Sequence, residues 1–220
     1  MTSEPRPKGR QARLQEAREI TRRAILDAAL DLFISQGYSQ VSIRNIAARV
    51  EYSPGAIYGY FTSKDEIFYA LAEEGLRDLG ARELADAPSA DPIEGVRASV
   101  WRLYEFSKEH PEYFALMFLD RSVPPISKDW HRFGFVREMK GLMAAHIQSV
   151  IDQGLFPPDT KADAVFRILA AAIHGAAVMR LCGRLSPNDD ADALARDTLE
   201  AALTGLRAGI PHTFHSEPCE

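Results

Sequence analysis

The sequence predicts an all-α protein of about nine helices. Apolar residues recur every three to four positions along most of the chain, no run of strand length alternates convincingly, and Pro, Gly and Ser mark candidate helix ends. The 220 residues, 46% of them apolar, are enough for one domain or two small ones with a real core. We therefore expect a globular helical protein.

The first predicted helix carries one apolar face and stops at Gly37, a residue suited to a helix C-terminus. That face is formed by Ile20, Ala24, Ile25, Ala28, Leu32 and Phe33. A short second helix, "IRNIAARV", follows Ser42, whose hydroxyl can cap it. The three residues "EYS" then separate it from the next element.

A third, short helix is predicted in "SPGAIYGYFTSK", because Ser53 can cap it and Pro54 suits its first position. Gly55 and Gly59 weaken this helix, so its neighbours must hold it. "SKDE" then starts a long helix with a predicted capping box from Ser63 to Glu66. This order of elements predicts a helix-turn-helix, and the absence of GxxxxGK[ST] argues against a phosphate-binding loop.

The block "AILDAALDLFISQGYSQVSIRNIAARVEYSPGAIYGYFTSKDEIF" resembles the TetR (tetracycline-repressor-like) family of transcriptional regulators over roughly residues 20–75. The resemblance rests on "LF..QGY", a "(S/T)(I/V)..IA" helix, "S.G..Y.YF" and "SK" in that order. It implies a homodimer that binds a near-palindromic DNA operator. It further implies a C-terminal helical domain whose small-molecule pocket controls repression.

The resemblance also implies a set of DNA-binding residues. Ser42 resembles a phosphate-binding N-cap, Arg44 a residue that faces the backbone or groove, and Tyr60 and Lys64 resemble phosphate-binding positions. The alternative for Tyr58 and Tyr60 is packing within the small domain. The whole predicted set is Ser42, Arg44, Ser53, Pro54, Gly55, Ala56, Tyr58, Gly59, Tyr60 and Lys64.

Two positions depart from the family pattern. Glu51 stands in the turn, where relatives often have glycine, so it must adopt a left-handed backbone or a different turn, with its carboxylate close to DNA. Gly59 stands where relatives often carry a larger side chain. We therefore expect sparse base contacts, with Arg44, Tyr58 and DNA shape supplying more of the specificity.

Charge is unevenly distributed along the chain. Residues 1–50 hold nine Lys/Arg against five Asp/Glu, a balance of +4, which leaves −9 for the remainder of a chain whose net charge is −5. This predicts a confined contact with a polyanion. In the arm "PRPKGRQAR", Arg6, Lys8, Arg10 and Arg13 are expected to precede the first helix and to contact DNA; a disordered solubilising tail is the alternative.

Helix signals continue to the end of the chain. The predicted helices run over about 63–87, from Asp91-Pro92, from Pro111, and over about 128–152, 160–183 and 187–208. The predicted domains are a basic arm (1–18), a helix-turn-helix domain (19–79), a helical effector-binding and dimerisation domain (80–210) and a tail (211–220).

The penultimate helix is apolar almost all round, so it should be buried on more than one side. With the last helix it could form a four-helix bundle with a second copy, as the family's dimers do; burial within one chain is the alternative. The interface candidates are Val165, Ile168, Leu169, Ala172, Ile173, Ala176, Leu199, Leu203 and Leu206.

Aromatic and thioether side chains concentrate on the middle helices, which fits either an adaptable apolar ligand pocket or ordinary core. For His174, the one histidine among the pocket candidates, the alternative to a ligand contact is a buried, hydrogen-bonded side chain. The pocket candidates are Trp101, Tyr104, Phe114, Met117, Phe118, Trp130, Phe133, Met139, Met143 and His174.

Catalytic and metal-binding signals are weak. His110, His131 and His146 are far apart, and His212, His215 and Cys219 lie in a Pro-containing tail, so we expect no metal, cofactor or catalytic residue. With no signal peptide and no membrane span expected, a cytoplasmic protein is predicted. The predicted function is a homodimeric repressor released from its operator by a small apolar ligand; the alternative is a helical small-molecule-binding protein that has lost operator binding.

Overall fold

The computed structural model describes residues 9–85, 91–124 and 134–209. Within these ranges the chain forms nine α-helices and one 3₁₀ turn (Tyr38–Gln40), with no strand, as the sequence predicts. The helices are α1 (Arg10–Gln36), α2 (Ile43–Arg49), α3 (Pro54–Tyr58), α4 (Lys64–Ala85), α5 (Pro92–Glu109), α6 (Pro111–Phe118), α7 (Gly134–Asp152), α8 (Ala162–Leu181) and α9 (Ala191–Arg207).

The described residues group into two units. Residues 9–72 together with 116–124 make the N-terminal unit, and residues 73–85, 91–115 and 134–209 make the C-terminal unit. The predicted domain boundaries after residues 18, 79 and 210 stay predictions. The predicted tail lies outside the described residues.

The N-terminal unit is built on the apolar face of α1. Of the predicted face, Ile25, Ala28, Leu32 and Phe33 are buried, whereas Ile20 and Ala24 are exposed, because the part of α1 that the core covers begins at Ile25. The core combines the buried residues of α1 with side chains from α2, α3 and α4, including the fully buried Ile46, Ile57 and Phe68. Gly37 ends α1 with φ 81°, and its N–H donates to the Phe33 carbonyl oxygen at 3.0 Å. The predicted stop at Gly37 is confirmed, because this backbone conformation favours glycine.

The predicted start of α1 is wrong. The helix begins at Arg10, so Arg10 and Arg13 lie inside it rather than ahead of it, while Arg6 and Lys8 lie outside the described residues. Residues 10–20 are all exposed, so no buried face marked them as helix in the sequence. Their Gln, Ala, Arg, Leu and Glu residues favour a helix through backbone propensity alone.

The capping box predicted at the start of α4 is shifted by one residue. Ser63 Oγ accepts the Glu66 N–H at 3.1 Å, as expected. The Glu66 carboxylate, however, accepts the backbone N–H of Thr62 and also its hydroxyl, which lies 2.6 Å away, instead of the Ser63 N–H. Side chains therefore still accept the backbone N–H groups at and just before the start of α4.

The C-terminal unit packs around α8, which contacts α5, α7 and α9. Asp91 caps α5 by accepting the Ile93 N–H at 2.9 Å, as predicted. The last helix begins at Ala191 rather than at the predicted Pro187, because Asp190 Oδ1 accepts the N–H groups of Asp192 and Ala193 at 2.9 Å each. A carboxylate that satisfies these free donors sets the helix start.

Most of the predicted interface residues are covered by their own chain. Seven of them lie in the core of the C-terminal unit with at most 7% of their surface exposed: Val165, Leu169, Ile173, Ala176, Leu199, Leu203 and Leu206. Ile168 and Ala172 are half-buried. For these seven the structure supports the alternative, burial within one chain, because an apolar face at helical spacing shows that a face is buried, not which chain covers it.

Among the described residues, α8 is also long and apolar enough to cross a membrane by length and composition. Six of its residues are buried in the core of the C-terminal unit: Ala164, Val165, Leu169, Ile173, Ala176 and Ala177. Since three other helices pack against it, α8 resembles the central helix of a globular domain, which meets the same criterion.

Candidate nucleic-acid interface

The turn between α2 and α3 centres on Glu51, which has φ 59°. This is the left-handed region, so of the two turn conformations expected for Glu51 the structure adopts the strained one. The strain is of the order of 1–2 kcal/mol for a residue with a side chain. The next residue, Tyr52, donates its N–H to the Ala47 carbonyl oxygen at 2.9 Å, which fixes the turn against α2.

Helix α3 is anchored by one side chain and presents small residues outward. Ile57 is fully buried, and Ala56 is half-buried beside it. Ser53 Oγ caps the helix by accepting the Ala56 N–H at 3.2 Å. Pro54 and Gly55 are exposed at its start, so a duplex could approach the α3 backbone closely.

Two tyrosines close to α3 are placed differently. Tyr58 is 55% exposed and so available for an outside contact. Tyr60 is half-buried, with the Arg18 guanidinium carbon 5.1 Å from its ring centroid. The same guanidinium donates to the Gly59 carbonyl oxygen at 3.0 Å. Arg18 therefore holds the end of α3 against α1, a role that no local pattern indicated.

The start of α2 carries the cap residue that was predicted to bind phosphate. Ser42 is exposed and caps α2, and Asn45 closes a capping box by accepting the Ser42 N–H at 2.9 Å. Arg44 is exposed in the first turn. Asn45 was missed by sequence reasoning, although a polar residue three positions after a cap is the signal for such a box.

Lys64 has an intramolecular partner. Its ammonium donates to the Tyr38 carbonyl oxygen at 2.8 Å and lies 4.0 Å from the Tyr38 ring centroid. An ammonium carries three donors, so this bond does not exhaust its capacity to bind phosphate. The predicted phosphate role therefore stays a prediction, beside a structural role that the structure shows.

Tyr38 joins several parts of the N-terminal unit, and its importance was not predicted. Only 4% of it is exposed, and its ring lies 4.9 Å from that of Phe33 and 5.6 Å from that of Phe68. Its hydroxyl donates to the Asp65 carboxylate, and its N–H donates to Asp120 Oδ2 at 3.3 Å. Burial and the bond to Asp65 raise the pKa of Tyr38, which keeps the hydroxyl a donor.

Asp120 belongs to the short segment that joins the N-terminal unit from far along the chain. Burial raises the pKa of the Asp120 carboxyl, but hydrogen bonds from Ser122 and from the Tyr38 N–H outweigh this and hold it below its usual range. The carboxylate is thus charged at neutral pH and fixes the backbone of the 3₁₀ turn that precedes α2.

All ten predicted DNA-binding residues lie in the N-terminal unit, on α2, α3 and their flanks. Seven of them are exposed, namely Ser42, Arg44, Ser53, Pro54, Gly55, Tyr58 and Gly59. The other three, Ala56, Tyr60 and Lys64, are half-buried. The structure therefore leaves most of the predicted surface open to a partner.

The structure describes the side chains of seven of the ten predicted ligand-pocket residues, and these seven are divided between the two units. Tyr104 and Phe114 are fully buried, Trp101 and Met143 are half-buried, and Met117 and Phe118 belong to the N-terminal unit. Trp130, Phe133 and the Met139 side chain lie outside the described residues. A cavity of about 610 Å³ in the C-terminal unit has other walls: Gln148, Ile151, Asp152, Gly154, Leu155, Phe156, Pro157, Pro158 and Arg207.

Two of the predicted ligand-pocket residues have polar partners that the sequence did not indicate. The Tyr104 hydroxyl donates to Asp192 Oδ1 at 3.0 Å, and burial with this bond raises the pKa of Tyr104 to about 12. His174 Nδ1 lies 2.8 Å from the Ala170 carbonyl oxygen, and its ring is 5.6 Å from that of Phe114. Burial lowers the pKa of His174, so its ring is neutral at pH 7.

Two family models match most of the chain. Residues 25–71 match the model for bacterial regulatory proteins of the tetR family, and residues 96–202 match a tetracyclin repressor-like C-terminal domain. The chain belongs to the TetR family. Both models describe regulators rather than enzymes, and the described residues contain no group of three or more His, Cys, Asp or Glu that could hold a metal ion.

Curated relatives of this TetR-family chain agree with the family models. It is 40% identical over 86 residues to the HTH-type transcriptional regulator AcrR of Shigella flexneri, covering 38% of the chain and 39% of that relative. It is 28% identical over 197 residues to the HTH-type transcriptional regulator TcmR of Streptomyces glaucescens, covering 85% of the chain and 83% of that relative. The match to AcrR thus spans about two fifths of the relative's length.

Solved structures confirm the fold. FadR from Bacillus subtilis, crystallised with stearoyl-CoA, has a TM-score of 0.68 and 18% identity, over 83% of this chain and 97% of that one. A TetR-family regulator from Haemophilus influenzae has a TM-score of 0.65 and 18% identity, over 86% and 97%. The predicted helix-turn-helix fold with a helical C-terminal domain is therefore confirmed.

Proposed function

We propose that this TetR-family chain is a homodimeric repressor that binds a palindromic operator and is released by a small apolar ligand. The observation that carries the proposal is helix α3, a short helix anchored by Ile57 whose outward side consists of Ser53, Pro54, Gly55 and the exposed Tyr58. A protein acting on genomic DNA in this way works in the bacterial cytoplasm.

In the proposed complex, α3 enters the major groove of one half-site. Its small residues let the backbone approach the bases, while Tyr58 supplies a hydroxyl and a ring at the groove. Ser42, Tyr60 and Lys64 bind phosphates and Arg44 faces the groove or the backbone, which fixes the docking register. The second copy binds the other half-site, with centres about 34 to 36 Å apart or a multiple of that distance.

Support for a dimer comes from the outer side of α8. Ala171, Gly175 and Met179, spaced four residues apart, are exposed on this helix, and Met179 is 40% exposed. A Cβ placed on Gly175 would meet no atom of the described residues within 4 Å, so none of them requires a glycine there. We infer that α8 uses this stripe, with the half-buried Ile168 and Ala172, to pack closely against a second copy.

The proposed effector site lies in the C-terminal unit around Phe114 and His174, with Met143 and Trp101 half-buried. A neutral imidazole among apolar side chains suits a ligand that is largely apolar with one polar group. The Bacillus subtilis FadR structure was solved with stearoyl-CoA, whose acyl chain is apolar and whose coenzyme A part is charged, and at 18% identity it lends support through the fold alone.

Selection of bound sequences from random DNA by the purified full-length chain tests the proposal. We expect enrichment of an inverted repeat, with affinity that falls steeply with salt. Arg44→Ala should weaken binding by roughly tenfold, whereas Arg184→Ala, at an exposed site of the C-terminal unit, should not. Binding without sequence preference, or none at low salt, would favour a helical ligand-binding protein that has lost its operator.

Glu51 supplies a separate prediction, because its carboxylate lies in the turn that leads into α3. Glu51→Gln should raise operator affinity about two- to fivefold in low salt, since it removes a charge that repels phosphate. The gain should shrink as salt screens the charge. Glu112→Gln, an exposed substitution of the same kind on α6, is the control and should leave affinity unchanged. Fluorescence anisotropy measures both, and equal affinities for the two variants would place Glu51 away from DNA.

A further inference from the structure

The cavity of about 610 Å³ in the C-terminal unit shares none of its described lining residues with the predicted ligand pocket. It lies between the end of α7, the loop that follows this helix and Arg207, which is in the last turn of α9. Its volume is within the range of sites that hold a small molecule. We call it the α7–α9 cavity.

One side of the α7–α9 cavity is apolar. Ile151 and Phe156 line it with only 6% and 3% of their surface exposed, because both belong to the core of the C-terminal unit. Leu155 and Pro157 also line it and are half-buried. An apolar group that enters the cavity therefore leaves water and contacts side chains that the core already holds in place.

Both segments that form the cavity are held by local contacts. Gly154, which follows α7, has φ 75°, and its N–H donates to the Ile151 carbonyl oxygen at 2.8 Å. After α9, Gly209 has φ 74° and approaches the loop so closely that a Cβ placed on it would lie 3.3 Å from Pro157 Cγ. Glycine suits both backbone conformations. The cavity is therefore preformed, which lowers the entropic cost of binding a ligand.

Two opposite charges line the cavity without pairing with each other. Asp152 Oδ1 accepts the Gln148 side-chain amide at 2.9 Å, and no donor among the described residues reaches Oδ2. The exposed Arg207 guanidinium has neither a hydrogen bond nor an ion pair within the described ranges. Both groups therefore keep their capacity for charge-assisted hydrogen bonds to a ligand.

Helix electrostatics accounts for only one of these two charges. Arg207 lies in the last turn of α9, where the negative end of the helix dipole favours a cation. Asp152 is the last residue of α7, where the same dipole disfavours a carboxylate, and the last turn of α7 holds no basic residue. The end of α7 is thus a negative corner of the cavity that attracts a cationic group, and Arg207 supplies the positive corner.

We propose that the α7–α9 cavity is a second ligand site, which binds a small apolar molecule that carries both an ammonium and a carboxylate, as an apolar amino acid does. The ammonium donates to Asp152, the carboxylate accepts from the Arg207 guanidinium, and the apolar side chain covers Ile151 and Phe156. The inference goes beyond the proposed function, because it uses neither the DNA-binding surface nor the candidate effector residues around Phe114 and His174.

The test titrates the full-length chain with L-leucine, L-phenylalanine and L-tryptophan, followed by isothermal titration calorimetry. We expect saturable binding of at least one of them, with one site per chain and a dissociation constant on the order of 0.1 mM. The tightest of the three is then compared with two analogues of the same side chain, an amine without the carboxylate and a propanoate without the ammonium. Each analogue should bind about tenfold more weakly, since it loses one charged hydrogen bond.

Two variants locate the site. Asp152→Asn and Arg207→Gln should each weaken binding of the amino acid by about tenfold. Arg207→Gln should not weaken binding of the amine further, and Asp152→Asn should not weaken binding of the propanoate further. Asp159→Asn, in the same loop, and Arg184→Gln are charge-matched controls at exposed positions outside the cavity lining, and should leave all affinities unchanged. Circular dichroism should show the same helix content for all four variants.

Every outcome bears on the second site alone, because no operator is present in the assay. If none of the three amino acids binds saturably, the site is refuted. It is also refuted if the amino acid binds equally well to Asp152→Asn, Arg207→Gln and the controls, since the molecule is then held elsewhere. Analogues that bind as tightly as the amino acid would overturn the requirement for two charges.

Discussion

Gly175→Arg is expected to convert the proposed dimer into a monomer and to weaken operator binding by about 10²- to 10⁴-fold. The glycine lies on the exposed side of α8, and a Cβ added there meets no atom of the described residues within 4 Å. An arginine would therefore leave the fold intact but hold a second α8 away. Affinity falls because two linked half-site contacts become two independent ones.

Gly141 provides the matched control. It is exposed on α7, and a Cβ there likewise meets none of the side chains and backbone atoms that the structure describes within 4 Å. Gly141→Arg adds the same charge and volume, and should leave both mass and affinity unchanged. Light scattering after size exclusion measures the mass, and anisotropy measures operator affinity. If the Gly175→Arg protein stays dimeric, the dimer interface lies on another surface.

Tyr38→Ala should destabilise the N-terminal unit by about 3–5 kcal/mol, the range for removing a buried aromatic ring. The ring packs between Phe33 and Phe68, and the Tyr38 backbone is held by Asp120 and Lys64. A cavity at this point loosens the 3₁₀ turn that leads into α2. Operator binding should then be lost at temperatures where the wild-type protein still binds.

Tyr38→Phe isolates the hydroxyl from the ring. It removes the bond to Asp65 but leaves the packing, so the expected cost is about 1 kcal/mol. Urea unfolding followed by circular dichroism measures both variants, and hydrogen exchange of α1 and α2 amides assigns the loss to the N-terminal unit. Equal stability of Tyr38→Ala and wild type would contradict the central role of this residue.

Local interactions made much of the fold predictable. The caps at Ser42, Ser53 and Asp91 are all present, because each joins a side chain to a backbone N–H two or three residues away. The stop at Gly37 and the left-handed backbone at Glu51 depend on neighbouring atoms in the same way. The start of α1 escaped prediction because helix propensity without a buried face leaves no periodic signal.

Contacts between residues far apart in the sequence could not be predicted. Arg18 and Gly59 are 41 residues apart, and Tyr38 and Asp120 are 82 apart, so no spacing along the chain indicates either pair. The residues expected at a dimer interface show the same limit. Leu169 and Ile173 belong to the core of one chain, while Gly175 and Met179 on the same helix are exposed.

By itself the sequence determined the all-α class, the order of short and long helices, and the small-residue character of α3. These properties arise from propensity, periodicity and capping within about four residues, which the chain order records directly. Only the tertiary structure decided which apolar faces the chain covers for itself and how Lys64 and Arg18 are held. Those outcomes depend on packing between segments distant in sequence, where burial and charge are set by neighbours that no local pattern names.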